Sequence, residues 1–302
     1  MNAPILITAY CRPTYLKSLL VQVRELECRI YIFVDGPSIN DTNEKLSRIN
    51  DCKRLVLKFA DTQENVRYRF AISNLGLSKS VTSAIDWVFE NEDSVIVLED
   101  DLHLHSDAIQ VANKLLVRYK QSHKIGSISL YRPAVLDSDR ELCGKVLFSP
   151  MPTSWGWATW VDRWQKFNLN NAKTRYFGLY RKFFRVGGLA GLIRWRRVIG
   201  RLEARKIDSW AYPWMFTHFS QGWMAVIPKM NLVENLGFGE FATHTKSIAS
   251  NTICENNSYI FDELKPMSIP NKMKKKLLKD TYGVYSFSFR IMRRMKNIFD
   301  SG

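Results

Sequence analysis

A chain of 302 residues, 46% hydrophobic and 24% charged, has the size and composition of a soluble globular protein with one large α/β domain or two small ones. No apolar run approaches the roughly 20 residues that span a bilayer, and no basic-apolar leader precedes the first strand. Five cysteines without C-x-x-C spacing (Cys11, Cys28, Cys52, Cys143, Cys254) argue against a zinc or disulfide framework and for reduced thiols in a cytosol, while the net charge of +15 asks for an anionic partner.

Pro4-Ile5-Leu6-Ile7-Thr8-Ala9 predicts a first strand, followed by a turn at Tyr10-Cys11-Arg12-Pro13. Pro13 suits the first position of a helix, and Leu16, Leu19, Leu20 and Val23 give that helix an apolar stripe. Ile30-Tyr31-Ile32-Phe33-Val34 reads as a second strand closed by Asp35-Gly36-Pro37. A helix with Leu46 and Ile49 on one side comes next, and Arg54 to Phe59 is expected as a third strand. Asn74-Leu75-Gly76 then turns into a helix with Val81, Ala84, Ile85 and Val88 on one face. Lys79 at the start of that helix is unusual, because a helix N-terminus prefers negative charge; a bound phosphate would explain it, and so would a solvated lysine.

Ser94-Val95-Ile96-Val97-Leu98-Glu99-Asp100-Asp101-Leu102 is the stretch around which the chain is organised. Its β-branched run reads as a strand buried on both faces, ending in three consecutive carboxylates. Left unpaired, such a cluster repels itself. A Mg2+ or Mn2+ ion sharing its shell with substrate phosphates resolves that repulsion, whereas the plainer reading makes the acids a solvated loop before a helix near Ser106. A helix over Ile109 to Tyr119 and a strand over Ile125 to Leu130 complete the first half. Alternating strands and helices predict an open, mostly parallel sheet flanked by helices, with ligands beyond the carboxyl ends of the strands. Ala9 to Arg12, Asp35 and Asp100 to Asp101 all fall at such ends.

From about Pro150 the texture changes. Trp155-Gly156-Trp157-Ala158-Thr159-Trp160 reads as core packing in preference to sugar contact, with Gly156 letting the backbone approach a donor. A basic helix over Tyr180 to Arg205, the Asp208-Ser209-Trp210-Ala211-Tyr212-Pro213-Trp214 segment, a strand over Trp223 to Ile227 and a polar loop to Thr245 follow. The tail interleaves Lys and Arg with Met273, Leu277, Leu278 and later apolar residues, as an interfacial helix on an anionic membrane does; a solvated face is the plainer reading.

With those pieces in order, the chain resembles glycosyltransferases of the GT-A fold over roughly Pro4 to Thr245. The likeness is to inverting enzymes of the N-acetylglucosaminyltransferase I kind and to bacterial surface-polysaccharide transferases. Its carriers are Ala9-Tyr10-Cys11-Arg12-Pro13, Asp35-Gly36, Asn74-Leu75-Gly76 with Lys79, Glu99-Asp100-Asp101, Trp155-Gly156-Trp157, Asp208-Ser209-Trp210 and Gly237-Phe238-Gly239 with Thr243-His244. The resemblance implies a UDP-sugar donor with Ala9 and Arg12 on the uridine and diphosphate, and Asp35 on the nucleoside. It implies Glu99 and Asp100 across the ribose and sugar, Asp101 as the ligand of Mn2+ or Mg2+, and a His244 loop over the diphosphate. Asp208 matches its general base, with Asp162 and Glu240 as rivals and a helix cap as the plainer role for Asp208. His103 is near enough to the metal to watch.

On this reading residues 1–150 bind the nucleotide-sugar, 151–262 form the acceptor and catalytic half of the same domain, and 263–302 form a basic amphipathic tail. The acceptor is a glycan or lipid-linked oligosaccharide, and the place is the inner face of a bacterial cytoplasmic membrane. Two other classes compete with it. A sugar-nucleotidyltransferase needs a glycine-rich phosphate loop after the first strand, and Tyr10-Cys11-Arg12-Pro13 is not one. A nucleic-acid binder gives no purpose to three acids at a strand end, so no nucleic-acid partner is expected.

Overall fold

The computed structural model describes residues 2–167, 179–237 and 267–282. The first half runs β1 (Ile5–Ala9), α1 (Pro13–Val23), β2 (Ile30–Val34), α2 (Asn43–Ala60), β3 (Val66–Phe70), α3 (Leu77–Val88), β4 (Ser94–Glu99), β5 (Leu102–Leu104), α4 (Ala108–Tyr119) and β6 (Ile125–Ser129). A 3-10 turn at Ala134–Leu136 leads to β7 (Leu147–Ser149), β8 (Trp157–Trp160) and α5 (Val161–Trp164). Then come α6 (Tyr180–Glu203), α7 (Ala211–Gln221), β9 (Met224–Ile227), β10 (Val233–Asn235), β11 (Met267–Ser268) and α8 (Asn271–Tyr282).

Among the described residues nine strands form one sheet in the order β11-β7-β9-β6-β8-β4-β1-β2-β3, and β5 pairs with β10 in a separate ribbon. β4, β1, β2 and β3 are mutually parallel, and β8 runs antiparallel between β4 and β6. The expected class, a mostly parallel central sheet flanked by helices, is the observed one. Alternation along buried strands supplies both layers. Ile5, Ile7, Ile96 and Leu98 face α1, α2 and α4, whereas Leu6, Val95 and Val97 face α3 and a tryptophan cluster. A second cluster joins α6, α7 and α8 beside β7.

Residues 54–59 are not a strand. Ile49, Cys52, Val56 and Phe59 are the buried positions of α2, and their helical spacing continues the pattern through Arg54-Leu55-Val56-Leu57-Lys58-Phe59. The third strand lies instead at the exposed edge as β3, whose Arg67, Tyr68 and Arg69 are exposed and lack an apolar run. The tail also differs from expectation. Met273, Leu277 and Leu278 are buried in the second core cluster, so these three do not face a membrane, and Met267–Ser268 joins the sheet. No helix among the described residues is long and apolar enough to cross a membrane. Gly156 lies beneath Leu130 and Val233 in the core and does not line the cleft.

Trp157, Trp160, Trp164, Trp210 and Trp214 are core, whereas Trp155 is partly buried and lines the cavity described below. Trp157 stacks on Trp210 at 5.2 Å and packs on Trp214 at 5.4 Å. His218 is wedged edge-on between Trp214 and Trp223 at 5.0 and 5.7 Å, fully buried, with neither ring nitrogen hydrogen-bonded among the described residues. Burial pushes its pKa down to about 3. The folded protein therefore resists a proton that the unfolded chain accepts below about pH 6.5, and stability falls as pH drops from there towards 3. Replacing His218 by phenylalanine should remove that dependence. The stability of the variant relative to the parent should rise by about 2–3 kcal/mol between pH 7 and pH 4.5. Denaturant titrations at the two pH values check this; a constant difference would contradict it.

Candidate active site

Parallel pairing brings the carboxyl ends of β1, β2 and β4 to one edge, with Thr8 opposite Glu99 and Ala9 opposite Val34. Since the chain leaves β1 towards β2 on one side and β4 lies on the other, a crevice opens there. It belongs to a cavity of about 1320 Å³. That exceeds the usual range for one small ligand, roughly 300–1,000 Å³, and leaves room for two substrates.

Asp100 and Asp101 form its floor at 1% and 4% exposure. Arg12, delivered by the turn after β1, pairs through Nη2 with Asp100 Oδ1 at 2.6 Å and through Nη1 with Asp101 Oδ2. The Tyr10 N–H donates to Asp100 Oδ2 at 3.2 Å, and the Asp100 N–H donates to the Thr8 carbonyl at 3.0 Å. Burial and neighbouring Asp101 lift Glu99 to about 8. Burial lifts Asp100 to about 6 against the pull of Arg12. Burial works against the Arg12 charge as well, but Asp100, Asp101 and Glu99 outweigh it and raise the guanidinium above its usual value. One guanidinium thus compensates two carboxylates directly. Asp101 Oδ1 is buried and accepts no hydrogen bond among the described residues. Gly237 closes over this pair so tightly that a Cβ there would collide with the Asp101 carboxylate and the Arg12 guanidinium.

Asp35 ends β2 and ties it to the next turn. Its Oδ1 accepts the N–H groups of Gly36 and Leu75 at 2.8 and 2.9 Å, and its Oδ2 accepts Asn74 Nδ2 at 3.2 Å. Burial keeps its pKa above the ordinary value despite those donors, and the charge of Asp208 adds to the effect. Asp208 reaches the same turn from the other wall of the cavity. Its Oδ1 accepts the N–H of Ser78 in the first turn of α3 at 3.1 Å. Gly76 precedes that helix at φ +79°, where a side chain would be strained and its Cβ would meet Asp208 Oδ2 at 2.7 Å. Trp210, stacked in the core two residues on, anchors the segment that presents Asp208.

No protein-family model matches the chain, and no curated protein matches it. Solved structures that overlap with it partially include the following two. The mannosyltransferase PcManGT from Pyrobaculum calidifontis, in complex with GDP-Man and Mn2+, has a TM-score of 0.41 and 12% identity, covering 73% of this chain and 69% of its own. A cytidylyltransferase from Leptospira borgpetersenii serovar Hardjo-bovis (strain JB197) has a TM-score of 0.33 and 15% identity, covering 55% of this chain and 63% of its own. Neither overlap bears on which chemistry this chain performs.

Ala9, Arg12, Asp35, Glu99, Asp100, Asp101 and Asp208 all line the one cavity. Arg12 spends both Nη groups on carboxylates within it. Lys79 does not line the cavity: it is exposed on α3, whose inward positions are Ser80 and Val81. His244 lies outside the described residues, as do Phe238 to Thr245 and the rival base Glu240. Asp162 is paired with Arg163 at 2.5 Å and does not line the cavity. His103 sits in the ribbon opposite Glu234. Asp208 does cap a helix, but α3 and not the helix that follows it.

Sequence reasoning missed a second charged group in the cavity, beside Tyr10. Lys45 pairs with Asp41 at 2.8 Å and lies 4.8 Å above the Tyr10 ring, while the Tyr10 hydroxyl donates to Asp41 at 2.9 Å. The i,i+4 spacing of Asp41 and Lys45 was its only signal. Arg132 was missed as well. Fully buried, it donates to Asp137 and to the carbonyls of Leu142, Lys145 and Pro228, holding the wall formed by Pro133, Ala134 and Val135. Among the described residues no group of three or more His, Cys, Asp or Glu side chains converges as a metal cage.

Proposed function

We propose that this cavity is the donor and acceptor site of a metal-dependent, inverting GT-A-type glycosyltransferase. It would move a sugar from a UDP-sugar to a hydroxyl of a glycan or lipid-linked oligosaccharide. The observation that carries this reading is the placement of two buried aspartates, Asp100 and Asp101, at the carboxyl end of β4, in one large cavity with the exposed Asp208. A nucleic-acid binder has no use for that arrangement.

A divalent cation fits the acids. Asp101 Oδ1 is a buried hard oxygen without a hydrogen-bond donor, as a ligand oxygen should be, and Asp100 lies beside it. Mg2+ and Mn2+ take one or two carboxylates and fill their shell with water and phosphate oxygens. When bound, the ion would offset negative charge on the departing diphosphate.

The protein's own groups supply the rest. Arg12 holds the acids in place and neutralises them before substrate arrives. Asp35 fixes the Asn74–Gly76 turn at the nucleoside end. Trp155, Tyr131 and Tyr212 line the cavity with aromatic faces that suit sugar rings. Asp208 takes the proton of the acceptor hydroxyl as its oxygen bonds to the anomeric carbon, and the bond from that carbon to the diphosphate oxygen breaks, inverting the centre. The Ser78 N–H orients the base through one oxygen and leaves the other for the proton.

Calorimetry with UDP, with and without Mn2+, tests this. UDP binding should depend on Mn2+ in the parent protein and lose that dependence in Asp101→Ala. UDP affinity indifferent to Mn2+ and to the substitution would overturn the reading. A lipid-linked acceptor would bring the chain to the inner face of the bacterial cytoplasmic membrane, and sedimentation with anionic vesicles tests that part.

A further inference from the structure

The cations of the cavity fall into two groups. In one they are paired with acids: Arg12 with Asp100 and Asp101, and Lys45 with Asp41. Arg201, Lys206 and Lys276, carried by α6, the turn after it and α8, line the same cavity, and among the described residues none of the three has an ion pair. The Lys276 ammonium donates to the neutral Ser138 hydroxyl at 2.9 Å.

The backbone is built to bring them there. Arg201 is in the last turn of α6. Arg205 then adopts φ 52°, a left-handed conformation uncommon for arginine, which ends the helix. The chain doubles back, with the Lys206 N–H donating to the Arg201 carbonyl at 2.8 Å and the Arg205 N–H to the Leu202 carbonyl at 3.0 Å. Lys206 therefore follows Arg201 onto the cavity wall two residues before Asp208. Lys276 arrives from α8, which is anchored in the core by Met273, Leu277 and Leu278.

Three like charges lining one cavity repel each other unless an anion joins them. We propose that these three cations form a phosphate subsite, and that the acceptor carries a phosphate or diphosphate which Arg201, Lys206 and Lys276 hold while its hydroxyl faces Asp208. A phosphate monoester carries about −1.5 to −2 charge and three acceptor oxygens, which matches three cations better than the single charge of one carboxylate. The word acceptor rests on the glycosyltransferase reading; the anion subsite does not.

Binding of matched glycans to the full chain tests it, with UDP and Mn2+ present in excess. The probes are a neutral oligosaccharide, its 6-phosphate and the same sugar on a short polyprenyl diphosphate. Either phosphorylated probe should bind at least about tenfold tighter than the neutral one, with the margin shrinking as salt rises. The tighter of the two identifies the source of the phosphate. In Arg201→Gln/Lys206→Gln/Lys276→Gln that margin should fall below about threefold. An unchanged melting temperature shows that this variant is folded, as expected for exposed positions. Equal binding of neutral and phosphorylated probes by the parent, or an undiminished margin in the folded variant, overturns the subsite. A phosphate preference without Mn2+-dependent UDP binding would sink the glycosyltransferase reading and leave the subsite standing. UDP binding without the preference would do the reverse.

Discussion

Replacing Arg12 by leucine should cost about 3–5 kcal/mol of folding stability at pH 7.5, because it strips a buried carboxylate pair of its counter-charge. Arg12 bridges Asp100 and Asp101, both nearly inaccessible to water, and nothing else among the described residues forms an ion pair with either. The loss should depend on pH in a definite direction. Glu99 and Asp100 already have folded pKa values raised to about 8 and about 6, and removing the guanidinium raises them further. Carboxyls whose folded values lie above the unfolded ones, near 4, hold extra protons in the native state between the two. Their contribution is complete below about pH 4 and is lost as pH climbs through the folded values. The variant should therefore recover much of its stability at pH 5 relative to pH 7.5. Arg12→Lys should fall between the two proteins, since an ammonium keeps the charge but loses the fork that reaches both acids. Urea titrations at the two pH values measure it. A leucine variant as stable as its parent at pH 7.5 would show that the acids need no counter-charge.

Replacing Asp208 by asparagine should lower turnover by about 100-fold to 10,000-fold while leaving Mn2+-dependent UDP binding as it was. The substitution is informative because the amide oxygen still accepts the Ser78 N–H, so the cap on α3 survives and only proton acceptance is lost. Asp208→Ala removes both and should also cost about 0.5–2 kcal/mol of stability. Single-turnover transfer, or donor hydrolysis without acceptor, gives the rate. Near-parental turnover in the asparagine variant would withdraw Asp208 from the chemistry and leave it a helix cap.

Local pattern is legible wherever burial is uniform along an element. The buried strands β1 and β2 and the Val95–Leu98 stretch of β4 are nearly continuous apolar runs, and α1, α3 and α4 show their inward faces at helical spacing, so these elements are readable residue by residue. The reading fails where a short apolar run has two interpretations. Arg54 to Phe59 has the composition of a strand, but Cys52, Val56 and Phe59 extend one helical stripe from Ile49, and the long helix buries all four. β3 is hidden for the opposite reason: an edge strand buries little, so exposed Arg67, Tyr68 and Arg69 carry no apolar signal.

Three consecutive acids at the end of a buried strand, a turn carrying Arg12 behind the first strand and an aspartate among tryptophans are properties of the amino-acid order. Together they point to a cleft at the ends of β1 and β4 and to part of its charge. Which charge meets which is a matter of the folded chain. Arg12 finds Asp101 across 89 residues, and Asp208 finds the first turn of α3 across 130. The turn at Arg205 and the packing of α8 bring three cations to the lining of one cavity. Electrostatic energy depends on separation in space and on exclusion of water, and neither is determined by separation along the chain.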